Sequence, residues 1–356
     1  MNCELVRATE RDGQEMLEII ESRPTQGLFE VLYTRRPNPV TSYLLENCNT
    51  DVYVIKDGNG RIVLQGACAP HPVYIGGERK ILGYINGIRK RIDFKEKIDW
   101  LRMMRDADTR VDYDYHYCSI LLANKHAQKV FEKRRADMPN LAYICDYTTF
   151  ILKPRKSRDD NGSYNFGKFG KLDFRKAEKE DERPVVDFLI REGKSYDLFP
   201  CFERFEEFYG LSVDDVYILR QNGEIVCACA LWEQSGFKQY IVQKYNGILN
   251  FARKCSKKPT LLGRPFPPIG KTLEFPYLTL FLAKNDDTEY YKIMLANIEN
   301  IISEKYDMFL IGLTKNNVKF PLFDKRKKLS FVSKLYLISE ETPHLSDKVH
   351  VECGVL

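Results

Sequence analysis

Apolar and polar positions along this chain switch between a period near two and a period near 3.6, and the same order of switches occurs twice. Residues 52–56 read Val-Tyr-Val-Ile-Lys and run through Asp57-Gly58-Asn59-Gly60 into Arg61-Ile62-Val63. Residues 216–220 read Val-Tyr-Ile-Leu-Arg and run through Gln221-Asn222-Gly223 into Glu224-Ile225-Val226. Each predicts strand, Asn-Gly turn, strand, because Asn and Gly accept the positive φ of tight hairpins. Ahead of each hairpin a charged start leads into an apolar-periodic helix. One start is Val6-Arg7-Ala8-Thr9-Glu10-Arg11-Asp12; the other runs from Phe174-Arg175 to Glu180-Asp181. The two arginines lie 168 residues apart (175 − 7) and the hairpins 164 apart (216 − 52). So long a period is a duplicated domain; solenoid repeats run about 20–50 residues.

The first copy predicts a strand over 5–8, a helix over 13–21 with Asp12 as N-cap, and a loop-and-helix stretch over 25–45 before the hairpin. A strand over 80–89, a helix over 97–104, a strand over 115–122, a helix over 125–134 and a strand over 141–152 follow. Residues 153–171, rich in Ser, Asp, Asn and Gly, read as a linker. The second copy predicts a helix over 183–192, the hairpin over 216–231, strands over 275–283, 308–313 and 331–338, and a helix over 289–304. Its long connection, residues 236–271, is of the kind that carries function or covers something. The division is thus 1–155, a linker over 156–171, 172–340, and a tail over 341–356. That tail is apolar enough to dock or to add an edge strand.

A chain of 356 residues suits two domains of ordinary size. A net charge of +5, from 55 basic and 50 acidic residues, argues against a nucleic-acid partner, which needs a concentrated basic face. Ten cysteines form no CxxC pair, and none of the five histidines has zinc-ligand spacing to one, so no metal is expected. Charged Glu4, Arg7, Glu10 and Arg11 stand where a signal peptide would be apolar, and no apolar run approaches the roughly 18–20 residues of a membrane span. The expectation is a cytoplasmic protein with reduced cysteines, Cys68 among them as a core thiol.

Residues 121–133 read Leu-Leu-Ala-Asn-Lys-His-Ala-Gln-Lys-Val-Phe-Glu-Lys, which resembles the strand-5-to-helix-4 segment of the GNAT (GCN5-related N-acetyltransferase) superfamily. Tyr84-Ile85-Asn86-Gly87-Ile88-Arg89 is similar to its fourth strand, and the Arg-Ala-Thr-x-x-Asp opening fits its start. The resemblance implies an α/β (mixed α+β) fold of two tandem GNAT-like domains, each a mostly antiparallel mixed sheet with splayed central parallel strands. It also implies acetyl-CoA or another acyl-CoA as donor and a small-molecule or peptide amine as acceptor. Pantetheine would lie along Gly87, Ile88, Arg89 and Lys90, with phosphates over Lys95, Lys97 and Ile98. Asn124 would reach the pantetheine arm, although its residue type and place equally suit an N-cap.

The sequence departs from the family at two points. The pyrophosphate loop normally carries spaced glycines; Lys95-Glu96-Lys97-Ile98-Asp99 has none. Phe131 stands where many members have a Tyr that protonates the leaving thiolate. A tyrosine beside the fifth strand, Tyr115 or Tyr117, is then the candidate acid, set against the plainer reading of aromatics packed on one strand face. In the second copy, Lys284-Asn285-Asp286-Asp287 places acids where phosphate would sit, so Asp286 or Asp287 reads as a helix cap and no CoA is expected there. The reading is an acyl-CoA-dependent N-acyltransferase with its site in the first copy. A non-catalytic acyl-CoA-binding scaffold, and a peptidoglycan-bridge-type aminoacyl-transferase using tRNA, are the alternatives.

Overall fold

A computed structural model describes residues 3–24, 29–99, 107–132, 140–156, 172–205, 210–247, 250–251, 260–261, 264–265 and 267–356. The first half contributes β1 (Glu4–Arg7), α1 (Gly13–Glu21), β2 (Phe29–Thr34), α2 (Pro39–Glu46), β3 (Asp51–Lys56), β4 (Ile62–Ile75), β5 (Glu78–Lys90), β6 (Tyr115–Leu121), α3 (Lys125–Glu132) and β7 (Asn140–Leu152). The second contributes β8 (Leu172–Lys176), α4 (Glu182–Gly193), β9 (Val216–Gln221), β10 (Glu224–Glu233), β11 (Gln239–Tyr245), β12 (Thr260–Leu261) and β13 (Arg264–Pro265). It closes with β14 (Pro276–Ala283), α5 (Thr288–Lys305), β15 (Phe309–Thr314), α6 (Phe320–Asp324) and β16 (Lys328–Ser339).

Twelve strands form one sheet in the order β1-β3-β4-β5-β6-β16-β7-β15-β14-β10-β9-β8. Ranked within each half, the order runs one to five, then the sixth strand of the second half, the sixth of the first, and five back to one. The halves have exchanged their last strands. β16 pairs with β6 from Ser333↔Leu121 to Ile338↔His116 and with β7 along its whole length, while β15 pairs with β7. A separate two-stranded sheet and the tip of one hairpin also join the halves. β2 pairs antiparallel with β11, Tyr33 opposite Tyr240, and the tip of the β4–β5 hairpin pairs with 198–201 through Tyr74 N–H to Phe199 C=O (3.0 Å) and Leu198 N–H to Tyr74 C=O (2.7 Å). The largest core cluster accordingly takes residues from both halves, including Tyr84, Tyr117, Trp232, Tyr277, Leu335 and Val351.

Local chemistry accounts for the repeated starts. Thr9 and Asp12 close a capping box over a short 3-10 turn, as Glu178 and Asp181 do in the second half. Asp12 therefore accepts from Thr9 and pairs with Lys56 rather than capping α1. The second hairpin turns on Asn222 and Gly223, at φ 53° and 86°, the left-handed pair of a two-residue turn. The first differs: the Asp57 carboxylate accepts from the N–H groups of Asn59 and Arg61, and only Gly60 takes positive φ. A side-chain-organised turn replaces the expected Asn-Gly turn.

Other expectations meet the structure unevenly. The helix over 97–104 is absent at 97–99, and 100–106 lie outside the described residues. Residues 157–171 of the expected linker also lie outside them. Asp287 caps α5, its carboxylate accepting from Glu289 N–H at 2.8 Å. Cys68 is buried, with its thiol pushed up to about 12 by burial. Among the described residues no helix is long and apolar enough to cross a membrane.

Candidate functional site

Both fourth strands, β5 and β14, carry an extra residue against their antiparallel neighbours. On β5 the register steps from Asn86↔Ala67 to Arg89↔Gln65; on β14 it steps from Thr279↔Ala230 to Leu282↔Ala228. The first bulged residue is left-handed in each, Gly87 at φ 64° and Leu280 at φ 51°. Beyond the bulge the parallel partners separate. β5 and β6 pair only from Leu82↔Tyr115 to Ile85↔Cys118, and β14 and β15 only at Tyr277↔Leu310. Two splayed clefts result, one per half.

The second cleft holds the end of the chain. The tail forms no edge strand; it turns inward after Asp197, whose backbone N–H donates to Lys348 C=O and whose C=O accepts from His350 N–H. Tyr147 O–H donates to Val351 C=O at 2.7 Å and Thr314 O–H to Val349 C=O at 3.2 Å. Glu352 accepts from Leu280 N–H (2.9 Å) and Thr279 O–H (2.6 Å), and His350 Nε2 lies 2.9 Å from the same carboxylate. Burial pushes Glu352 up, but His350 and these donors outweigh it and hold the carboxyl below its usual range. Lys319, pushed down to about 8 by burial, donates to Phe281 C=O at 2.8 Å. The backbone groups displaced by the bulge thus have side-chain partners.

The first cleft is different. Among the described residues no side chain hydrogen-bonds the backbone of Gly87 or Ile88. Tyr43 lies directly over Gly87, so that a methyl group there would overlap its hydroxyl. Arg89 donates to Ile20 C=O at the end of α1 (2.6 Å), where a cation suits the helix dipole, and its guanidinium lies 5.5 Å from the Tyr33 ring. Lys90 turns back to the carbonyl of Glu96. Residues 92–99 are turn and irregular chain, Lys95 reaching Ile92 C=O at 3.5 Å, so no described helix start lies at Lys95, Lys97 and Ile98. Asn124 is exposed and accepts from Ala127 N–H at 3.1 Å, capping α3. Phe131 lies in α3, and its side chain is outside the described residues.

Tyr115 stands half-buried at the first parallel pair, and Tyr117 is buried with its hydroxyl sharing a hydrogen bond with His71 Nδ1. Tyr113, just before β6, packs against His116 at 5.0 Å. Burial pushes the His71 imidazole down to about 3, which keeps it neutral at ordinary pH.

Sequence reading missed His71, Tyr43 and a buried ion network packed against Tyr43. Arg35 donates to Tyr33 Oη (2.6 Å), Ser42 Oγ (3.0 Å) and Glu46 (2.6 Å), and lies 3.8 Å from the Tyr43 ring. Lys238 reaches Glu46 at 3.0 Å and the Gly354 carbonyl at 3.1 Å. Burial opposes the Glu46 charge, yet Lys238 and Arg35 hold its carboxyl at about 2. The only sequence signal was indirect: the two loop stretches, 25–45 and 236–271, that now pair as β2 and β11.

The splayed parallel pair, the bulge and the helix after the fifth strand are the features of the GNAT fold. Solved structures agree. Saccharomyces cerevisiae N-myristoyltransferase with bound myristoyl-CoA is similar over 98% of this chain and 89% of its own, at 14% identity and a TM-score of 0.56. A GCN5-related glucosamine N-acetyltransferase region of a fungal multi-domain β-N-acetylglucosaminidase is similar over 95% of this chain and 38% of that one, at 12% identity and a TM-score of 0.59. No protein-family model and no curated protein matches the sequence. The chain has the GNAT fold; the duplicated strand order makes it a tandem form with exchanged last strands.

Proposed function

We propose that this chain is an acyl-CoA-dependent N-acyltransferase, acetyl-CoA being the donor, that works in the cleft between β5 and β6 on an amine of a small molecule or peptide. One observation carries the reading. Of two clefts with matching bulges, the second has its bulge backbone taken by Glu352 and Lys319, while described side chains leave Gly87 and Ile88 without such partners. Unpaired strand edges suit pantetheine, which pairs as a strand would. Backbone N–H groups at Gly87–Arg89 would receive the thioester oxygen as charge develops on it.

The acceptor amine, neutral when it attacks, forms the C–N bond as the C–S bond breaks; its proton passes to water and the departing thiolate takes one up. Tyr117, paired with His71, stands one residue from the last β5–β6 pair and Tyr115 three, so Tyr117 is the first candidate acid and Tyr115 the second. His71 is too weak a base to accept the amine proton. Calorimetric titration with acetyl-CoA tests the proposal. Micromolar binding, about −8 kcal/mol, weakened in Asn124→Ala and Lys95→Ala/Lys97→Ala, supports it; no heat from folded protein sinks it. Binding without CoA release across a broad amine panel would instead favour the non-catalytic reading, which the glycine-free 95–99 stretch motivates.

A further inference from the structure

We infer that the first cleft admits only short acyl groups, such as acetyl and propionyl, and that Tyr84, Tyr117 and His71 set this limit; the inference rests on the acyl-CoA reading above. A ligand entering between two splayed strands lies along their unpaired edges, and its far end reaches the point where pairing resumes. Here that point is the Ile85↔Cys118 pair. The preceding pair, Tyr84↔Tyr117, places two rings side by side with centroids 4.8 Å apart. Tyr84 and Tyr117 are only 6% and 3% exposed. His71 stacks on Tyr84 at 5.3 Å and shares its hydrogen bond with Tyr117. On the opposite face Ile85, Cys118 and Ile120 pack with Tyr336, Ile338 and Ala127 of α3.

The vertex is therefore filled on both faces of the sheet. A longer chain would have to displace a close-packed aromatic pair and break the Tyr117–His71 hydrogen bond, leaving buried polar atoms without it. The fold itself does not impose this. Yeast N-myristoyltransferase, with the same overall fold, is solved with myristoyl-CoA bound. Donor length is thus a property of the side chains at the vertex.

The test is calorimetric titration of the full-length chain with CoA and with acetyl-, propionyl- and octanoyl-CoA, the last kept below its aggregation concentration. Acetyl- and propionyl-CoA should bind within about threefold of each other, and octanoyl-CoA about tenfold more weakly than acetyl-CoA. Tyr84→Ala should recover most of that tenfold for octanoyl-CoA and leave acetyl-CoA within about threefold; Tyr84→Leu serves if the alanine variant does not fold. The wild-type series decides the matter even without a variant. Affinity rising about fourfold per added methylene, as in an apolar tunnel, would overturn the inference and leave the acyl-CoA reading standing. No binding of CoA or of any acyl-CoA would overturn both.

Discussion

The two halves bulge their fourth strands at equivalent places, one with Gly87 and the other with Leu280, and then treat the resulting gap in opposite ways. In the second half the gap is structural. Leu280 holds a left-handed conformation that a branched aliphatic residue rarely adopts, and its N–H is fixed by a carboxylate from the chain's own end. In the first half a glycine takes the same turn without that strain, a tyrosine hydroxyl covers it, and the backbone faces the splay. The same backbone device thus serves as a packed joint in one copy and as a candidate site in the other. Duplication supplied two clefts; occupation by the tail distinguishes them.

The largest effect should come from emptying the second cleft. Glu352→Ala leaves Leu280 N–H, the Thr279 hydroxyl and His350 without their carboxylate in a buried setting, so stability should fall by about 5 kcal/mol, measured by urea unfolding. A loss under about 1 kcal/mol would mean the tail is not a structural part of that half. Filling the first cleft comes next. Gly87→Ala should cost about 3 kcal/mol through the left-handed φ and the overlap with Tyr43, and should abolish acetyl-CoA binding. Adding Tyr43→Phe removes the overlap but not the φ cost, so partial recovery of stability in the double variant is the expected result. Full recovery would show that φ at Gly87 is immaterial.

The smallest effect is a pH dependence. The unfolded chain binds a proton at His71 near pH 6.5, whereas the folded chain refuses it until about pH 3. Stability therefore falls as pH drops through that window. Over pH 6.5 to 4.5 His71 should contribute about 2 kcal/mol of this loss, with glutamate titration adding its own share at the lower end of the window. His71→Gln should flatten the slope by that amount while His116 and His350, also pushed down by burial, retain theirs. An unchanged slope would place the His71 ring in contact with water.

Much of the fold was legible because period and turn chemistry are local. The alternation at 52–56 and 216–220, the apolar periodicity of α1 and α5 and the Asp287 cap each depend on neighbours a few residues away. Asn86-Gly87-Ile88, which the resemblance singled out, is where β5 bulges, with Gly87 taking the left-handed turn that Leu280 takes on β14. The turn after Asp57 was misread because a side chain, not φ preference, organises it. The network of Arg35, Glu46 and Lys238 was invisible, for it joins the segment after β2 and the last residue of α2 to a lysine about 200 residues further on, and burial alone brings the three charges together. By itself the sequence determined two copies of one α/β unit and their element order. Tertiary structure alone decided the exchange of β7 and β16, the seating of the tail in one cleft and the Tyr84–Tyr117 ring pair beside the other. Each of those depends on long-range burial and pairing, for which a linear pattern carries no period.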